Sequence, residues 1–285
     1  MQPTPEPRIQ QSHSLEAGSP YEMRVDLGNH VPEVDVRTAL KTGDIGFLHS
    51  FTTGSAVDGP GVRMVAWTTA CMFRCRYCHN PDTWTLRNGM AVTIAQAAAE
   101  LRKYAHGLRL MNGGFTLSGG EPLMQDRFAA KLFAAAKEMD VHTAIETNGY
   151  YSERLSDAEI ADIDLVILDI KAFESEQHNR VTGILDNEPI LAFGRRLSAL
   201  RRPMWLRYVL VPGLTDDPEE MAKIADYGAS LGVVERAEIL PFHQLGAYKW
   251  RNLGLEYGLS LTESPGPEAV EKAIGIFRAA GLNAC

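Results

Sequence analysis

The sequence predicts an α/β fold, a largely parallel sheet built from repeated strand and helix units and preceded by an N-terminal extension. Three observations predict it. Short runs rich in β-forming residues recur at 63–68, 114–118, 142–147, 164–170, 204–211 and 236–240. Amphipathic helical patterns lie between or after them at 93–106, 125–140, 217–231 and 267–280. Residues with chemical potential gather just beyond the strand ends. Regular alternation of this kind needs right-handed crossovers between parallel strands. Six units fall short of the eight that close a full barrel, so an open partial barrel and a doubly wound sheet both fit.

Residues 1–44 hold Pro3, Pro5, Pro7, Pro20 and Pro32 among polar residues with no sustained period, as in a flexible or loosely packed extension. A short helix is expected only at 34–41. The folded domain is expected over 45–285. Its first strand, 63–68, runs into three clustered cysteines. Thr93 can cap the alanine-rich helix that follows. The strand 114–118 ends at Gly119, Gly120 and Glu121, and the strand 142–147 at Asn148. The apolar run 165–168 ends in Asp169 and Lys171. Asp216 or Asp217 can cap the helix that carries Pro218 in its first turn. His243 follows the last strand.

With 285 residues, 45% of them hydrophobic and 22% charged, the chain can bury one full core. No run approaches the ~18–20 apolar residues that cross a bilayer, and charges and prolines stand where a signal peptide needs an apolar stretch. A cytoplasmic location with no membrane partner is expected. The formal net charge of -8, from 36 acidic and 28 basic residues, repels polyanions and argues against a nucleic-acid partner.

Three of the four cysteines fall within one short segment, Cys71-Met-Phe-Arg-Cys75-Arg-Tyr-Cys78, and the fourth is Cys285. A disulfide framework would spread paired cysteines along the chain, whereas a tight cluster reads as a metal or redox site. Thiolates are soft ligands suited to iron–sulfur clusters, and a cubane usually takes four, so one iron here lacks a local cysteine. The competing reading is zinc held by the three cysteines and His79. Zinc sites usually draw their ligands as two separated pairs, which this spacing does not supply. Cys285 is read as a free thiol.

Further motifs accompany the cysteines: Asp58-Gly-Pro-Gly-Val-Arg63, Cys75-Arg-Tyr-Cys-His-Asn-Pro-Asp-Thr-Trp84, Leu117-Ser-Gly-Gly-Glu-Pro122, Glu146-Thr-Asn-Gly149, Leu168-Asp-Ile-Lys171, Leu206-Arg-Tyr-Val209, Val211-Pro-Gly213 and Leu240-Pro-Phe-His-Gln-Leu-Gly246. From about Gly46 onward the chain resembles the radical S-adenosylmethionine (SAM) superfamily and, within it, the pyruvate formate-lyase activating enzymes. The resemblance implies a partial (β/α)6 barrel of the radical SAM type. It also implies one 4Fe-4S cluster on Cys71, Cys75 and Cys78, with SAM at the iron that lacks a cysteine. Reductive cleavage of SAM then gives methionine and a 5'-deoxyadenosyl radical, which takes an α-hydrogen from a backbone glycine of a partner. The implied partners are a glycyl-radical enzyme, pyruvate formate-lyase, and a low-potential electron donor such as flavodoxin or ferredoxin.

The resemblance also assigns residues. Tyr77, Cys78 and His79 lie along the SAM site, Tyr77 meeting the adenine through its backbone. Gly119, Gly120 and Glu121 form the edge that binds the SAM amino group. Asp169, Ile170 and Lys171 contact SAM from a strand end, and His243 contacts it from the last one. Glu146, Thr147 and Asp169 correspond to a monovalent-cation site, with Glu146 one methylene longer than the aspartate of the family pattern. Asp58, Arg63 and Arg207 are candidates to receive the partner's glycine loop. The alternatives to weigh are an activase of another glycyl-radical enzyme, a radical SAM enzyme acting on a small molecule, and a zinc-bearing interaction module. Activases of several other glycyl-radical enzymes carry an inserted ferredoxin-like domain with additional cysteine clusters, which 45–285 lacks.

Overall fold

The computed structural model describes residues 35–285. In chain order it comprises α1 (Val36–Thr42), β1 (Ile45–Ser55), β2 (Arg63–Thr68), β3 (Met90–Thr93), α2 (Ile94–Leu110), β4 (Gly114–Gly119), α3 (Asp126–Glu138), β5 (His142–Thr147), α4 (Asp157–Ala161), β6 (Leu165–Asp169), α5 (Ser175–Thr182), α6 (Glu188–Ala199), β7 (Met204–Leu210), α7 (Pro218–Leu231), β8 (Val234–Pro241), α8 (Ala247–Asn252) and α9 (Pro267–Ala279). The strands form one eight-stranded sheet in the order β3-β1-β2-β4-β5-β6-β7-β8. From β2 to β8 every neighbouring pair is parallel.

That order decides between the two architectures left open by the sequence. A doubly wound sheet reverses direction at a switch point, whereas here the six parallel strands follow one another without reversal, which is the winding of a partial barrel. The sequence did not mark β1 and β3, which pair antiparallel at the opening edge. β1 mixes His, Ser, Thr and Gly, shifts register twice against β2 and shows no strict alternation of burial. β3 is four residues long.

Strand alternation divides the side chains between two faces. Met64, Phe115, Leu117, Ile145, Val166, Leu168, Leu206 and Ile239 join the large core beneath the helices. The other face carries a small apolar cluster of Ala144, Leu165, Ile167 and Trp205, and further along the strands it turns polar. The strand ends that point toward the cysteines form the rim where sites of such folds are built.

Local chemistry fixes the elements. Thr93 and Gln96 make a capping box at α2, and Asp217 caps α7 by accepting from the Glu219 N–H at 2.9 Å. The stretch assigned to the loose extension contains α1, which is capped by Asp35, buries Ala39 and ends at Gly43. Gly43 has φ 70°, and a Cβ there would lie 2.4 Å from the Arg127 backbone, so α1 is fitted closely against α3. The rest of the extension, residues 1–34, lies outside the described residues. At the far edge, Cys285 accepts from the Ile239 N–H at 2.9 Å and donates its own N–H to Ala237 at 3.0 Å, covering β8 with the chain end. The Cys285 thiol is exposed, at the β8 edge of the sheet.

Candidate active site

The loop after β2 carries Cys71, Cys75 and Cys78 and is tied down on three sides. Ala70, at φ 75°, turns the chain in a region that non-glycine residues seldom occupy, and its N–H donates to Thr83 O at 2.8 Å. The Cys71 N–H donates to Trp84 O at 3.2 Å. The N–H groups of Arg74 and Arg76 donate to Thr182 O at 2.8 Å and Val181 O at 3.0 Å, fixing the loop to the end of α5. From α8, Trp250 donates its indole N–H to Cys78 O at 2.9 Å, and Lys249 reaches Asn80 at 2.8 Å and Asp82 at 3.2 Å. His49 of β1 meets the same Asp82 carboxylate at 3.3 Å.

Burial pushes all three thiols upward in pKa, Cys75 to about 12, and Cys71 is raised further by its neighbours Cys75 and Glu121. Such groups are poor free nucleophiles, because a nucleophilic cysteine is activated by a lowered pKa. Three deprotonated sulfurs here require positive charge between them, which iron supplies. Among the described residues, no group of His, Cys, Asp or Glu side chains converges as a single metal ion requires, with Zn–S distances near 2.3 Å. His79, the extra ligand a zinc site would need, turns its ring edge-on to His243 at 4.9 Å. A cubane meets its thiolates across its own iron–sulfur cage, and the set of three soft donors on one loop fits it.

Beside this loop two buried polar atoms have no partner, Tyr77 Oη and Asp169 Oδ1. Unsatisfied buried oxygens are costly, and both belong to residues that neighbour Lys171. Lys171 forms an ion pair with the other oxygen of Asp169 and lies 5.4 Å from the centre of the Tyr77 ring. Burial would lower the Lys171 pKa, but the Asp169 carboxylate outweighs it and holds the ammonium charged well above its usual value. This pocket of donors and an unspent acceptor suits a zwitterionic ligand such as the amino acid moiety of SAM. Ile170 is fully buried and contributes its backbone, its N–H donating to Arg207 O at 3.1 Å.

The paired glycines serve close packing. A Cβ on Gly119, at φ 119°, would stand 2.2 Å from Thr68 N, and one on Gly120 would stand 2.4 Å from Ala70 O. The β4 exit is thereby held against the β2 exit, with Gly120 N–H donating to Thr68 O at 2.8 Å and Glu121 N–H to Ala70 O at 2.7 Å. The buried Glu121 carboxylate accepts from Thr147 Oγ1 at 2.6 Å, Leu123 N–H at 2.8 Å and Asn148 N–H at 2.8 Å. It therefore braces the rim, and only the backbone of this edge is left for a ligand.

Deeper on the polar face, Arg207 forms an ion pair with Glu146 and bonds Glu238 at 2.7 Å and Val57 O at 2.7 Å. Burial opposes the charge on Arg207, but Glu146 and Glu238 hold its pKa above the usual value. Burial likewise opposes ionisation of Glu146, but Arg207 and the Ser118 hydroxyl at 2.5 Å keep its pKa below the usual carboxylate value. In the same cluster the pKa of Asp58 is raised by burial and by Glu146, and its carboxylate accepts from the Ser55 hydroxyl.

Of the three residues expected at a cation site, Glu146 and Asp169 share the polar face of the sheet and Thr147 faces the core. Glu146 and Thr147 are adjacent on β5 and face opposite ways. Glu146 is taken by Arg207 and Ser118, Thr147 by Glu121, and Asp169 by Lys171. Arg207 and Lys171 neutralise these carboxylates, and only Asp169 Oδ1 is left unpartnered, so among the described residues the three side chains do not converge on one ion.

Arg63 also departs from its expected role in receiving a partner loop. It is fully buried where β2, β4 and β5 begin, donating to Thr116 Oγ1 at 2.9 Å and Phe115 O at 2.6 Å and meeting His142 Nδ1 at 3.1 Å. Burial lowers its pKa to about 10. It plugs the end of the barrel away from the cysteines. Asp58 and Arg207 are buried as well, but they lie on the polar face.

Sequence inspection missed Glu238, Trp250 and, although Ser118 lies in a quoted motif, the bond from Ser118 to Glu146. Ser118 carries a readable signal, a hydroxyl in an otherwise buried strand, whereas Glu238 lies in a strand that is exposed toward both ends. Trp250 carries none, because its role depends on where α8 folds back.

The pattern of the radical SAM superfamily matches residues 65–225. A pyruvate formate-lyase-activating enzyme of Staphylococcus epidermidis is 43% identical over 235 residues, which cover 80% of this chain and 93% of that protein. A crystallised domain of a pyruvate-formate lyase-activating enzyme from Bacteroides vulgatus shares the fold, with a TM-score of 0.51 and 24% identity over 61% of this chain and 98% of that one. Spore photoproduct lyase with bound AdoMet also shares it, with a TM-score of 0.58 and 14% identity over 83% of this chain and 78% of that one. The chain belongs to the pyruvate formate-lyase-activating enzymes of the radical SAM superfamily.

Proposed function

We propose that this protein activates pyruvate formate-lyase by placing a radical on one of its backbone glycines, and that it does so in the cytoplasm with an electron from a low-potential donor. The observation that carries the proposal is the conjunction of three thiols on one pinned loop with the unpaired Asp169 and Tyr77 oxygens beside Lys171. Family membership brings a 4Fe-4S cluster and SAM. When bound and reduced, they supply a 5'-deoxyadenosyl radical that removes the glycine α-hydrogen.

The chain's own residues do the rest. Cys71, Cys75 and Cys78 hold the cluster, and Trp84 and Trp250 close over its loop, edge to face at 5.0 Å. Lys171 and Asp169 take the charged end of SAM, with the Gly119–Gly120 backbone alongside. Tyr77 and His243 border the adenosine side. Arg207, fixed between Glu146 and Glu238, stands where the partner's glycine loop would enter past Asp58, its donors already oriented. No residue need act as a base, since the hydrogen leaves as an atom. Residues 45–285 form the catalytic domain on this reading.

The test is anaerobic reconstitution, followed by incubation with SAM, a reductant and pyruvate formate-lyase. A doublet electron paramagnetic resonance signal from a glycyl radical is expected. SAM turnover with no such signal, together with conversion of a metabolite, would transfer the assignment to a small-molecule substrate.

A further inference from the structure

Two arginines alternate with the cluster ligands in Cys71-Met-Phe-Arg-Cys-Arg-Tyr-Cys78, and both Arg74 and Arg76 are exposed. The backbone bonds that fix them run to Thr182 and Val181, in the last turn of α5, and that turn carries the exposed Arg180. Among the described residues none of these three arginines pairs with a carboxylate. Arg154, Arg195, Arg196 and Arg278 do, and other exposed arginines such as Arg102 and Arg201 do not, so what sets these three apart is that the backbone bonds of the loop gather them beside the cysteines. The acidic residue nearest the loop in sequence, Asp82, is taken by Lys249 and His49. The guanidinium of Arg74 lies over the Trp84 ring at 4.8 Å and donates to Cys71 O at 2.7 Å. The basic surface thus reaches the backbone of a cluster ligand.

We propose that Arg74, Arg76 and Arg180 form the docking surface for an acidic one-electron carrier protein that reduces the cluster. The proposal rests on the iron–sulfur assignment of the three cysteines, and not on the identity of the glycyl partner. The chain carries a net charge of -8 and repels an acidic protein over most of its surface, so an unpaired basic patch orients such a carrier at the one place where its electron is useful. The carrier loses one electron and the cluster gains it, and no bond or proton moves at this surface.

The experiment follows bleaching of the holoenzyme cluster on anaerobic mixing with reduced flavodoxin, at low and high ionic strength, with dithionite as the small-molecule control. The wild-type rate should fall with salt. Reversal in Arg76→Glu/Arg180→Glu should slow reduction by flavodoxin about tenfold or more at low salt and flatten the salt dependence. Reduction by dithionite should stay about the same, and so should reduction by flavodoxin in the control Arg102→Glu/Arg201→Glu, whose exposed arginines lie elsewhere. If the reversed protein loses its cluster, Arg76→Gln/Arg180→Gln replaces it, with a smaller loss in the same direction expected. A salt-independent wild-type rate, an unchanged rate in the variants, or equal slowing in the control would overturn the proposal. So would variants that bind pyruvate formate-lyase more weakly while accepting electrons normally. A protein that takes electrons through this patch but forms no glycyl radical would leave the docking surface standing and remove the proposed function.

Discussion

Arg207 directs two donors, Nε at 3.1 Å and a terminal nitrogen at 2.7 Å, to the same Oε2 of Glu238 on the neighbouring strand. Their Cα atoms are register partners of β7 and β8. Glu238 therefore sets the plane of the guanidinium, while Glu146 neutralises its other side.

Removing Glu238 should expose how much of this arrangement is structural. Breaking a buried ion pair costs about 3–5 kcal/mol when the surviving charge is left alone. Because Glu146 remains to pair with Arg207, Glu238→Ala is expected at the lower end, about 3 kcal/mol, and Glu238→Gln, which keeps an acceptor oxygen, at less than half of that. Urea denaturation under anaerobic conditions measures both. Equal losses in the two variants would show that packing, not orientation of Arg207, is what Glu238 provides.

The cluster assignment predicts an all-or-none contrast among the cysteines. Cys75→Ala should leave the reconstituted protein with little bound iron and sulfide and no SAM cleavage, because a cubane cannot be held by two thiolates on this loop. Cys285→Ala should keep its full iron content, since that thiol is exposed beside the edge strand. Iron and sulfide analysis decides it, and normal cluster content in Cys75→Ala would contradict the ligand role.

These contrasts follow the division between what the chain announces and what it conceals. Strands 63–68 and 142–147 are legible to the residue because buried parallel strands are apolar and β-branched and end at turn residues. α4, α5 and α8 are not, being short or, for α5, polar along most of its length, whereas the twelve-residue α6 carries a periodic apolar face opened by Pro189 that sequence inspection passed over. In the site, the cysteine spacing is local and speaks for itself, but the partners of Glu146 are not. Glu146 meets Ser118 and Arg207, 28 and 61 residues away in sequence, and only the winding of the sheet brings them together. Glu121 misleads for the same reason, since its position suggests a ligand contact while its bonds run to Thr147 and Asn148.

Gly120 tests how tightly the cysteine loop is held. A Cβ there would approach Ala70 O at 2.4 Å and Thr83 O at 3.0 Å, both backbone atoms that anchor the loop. Gly120→Ala must displace the β2 exit and with it Cys71. A loss of about 1–3 kcal/mol is expected from the overpacking, together with weaker SAM binding by calorimetry on the reconstituted protein. Gly183→Ala provides the contrast: it too has positive φ, 80°, but a Cβ there meets nothing within 4 Å, so only backbone strain should appear and SAM affinity should hold. Similar SAM affinities in the two variants would mean that the β4 exit does not position the ligand.

Glu121 should make the protein less stable as pH rises toward neutrality. Burial raises its pKa from 4.5 to about 7, and the hydrogen bonds from Thr147, Leu123 and Asn148 only partly offset that effect. In the unfolded chain the carboxyl loses its proton near its ordinary value, whereas the folded protein retains it until about neutrality. Between these limits the folded state binds more protons, so the free energy of unfolding falls as pH rises, by about 3 kcal/mol in all, and levels off once both states are ionised. Glu121→Gln cannot titrate, and its amide oxygen can still accept from Thr147 and Leu123. The difference in unfolding free energy between wild type and Glu121→Gln should therefore shift in favour of the variant across this window, and denaturation of the anaerobic proteins at a series of pH values measures it. If the two stability curves run parallel from acid to neutral pH, Glu121 is ionised in the folded protein throughout, and the three hydrogen bonds outweigh its burial.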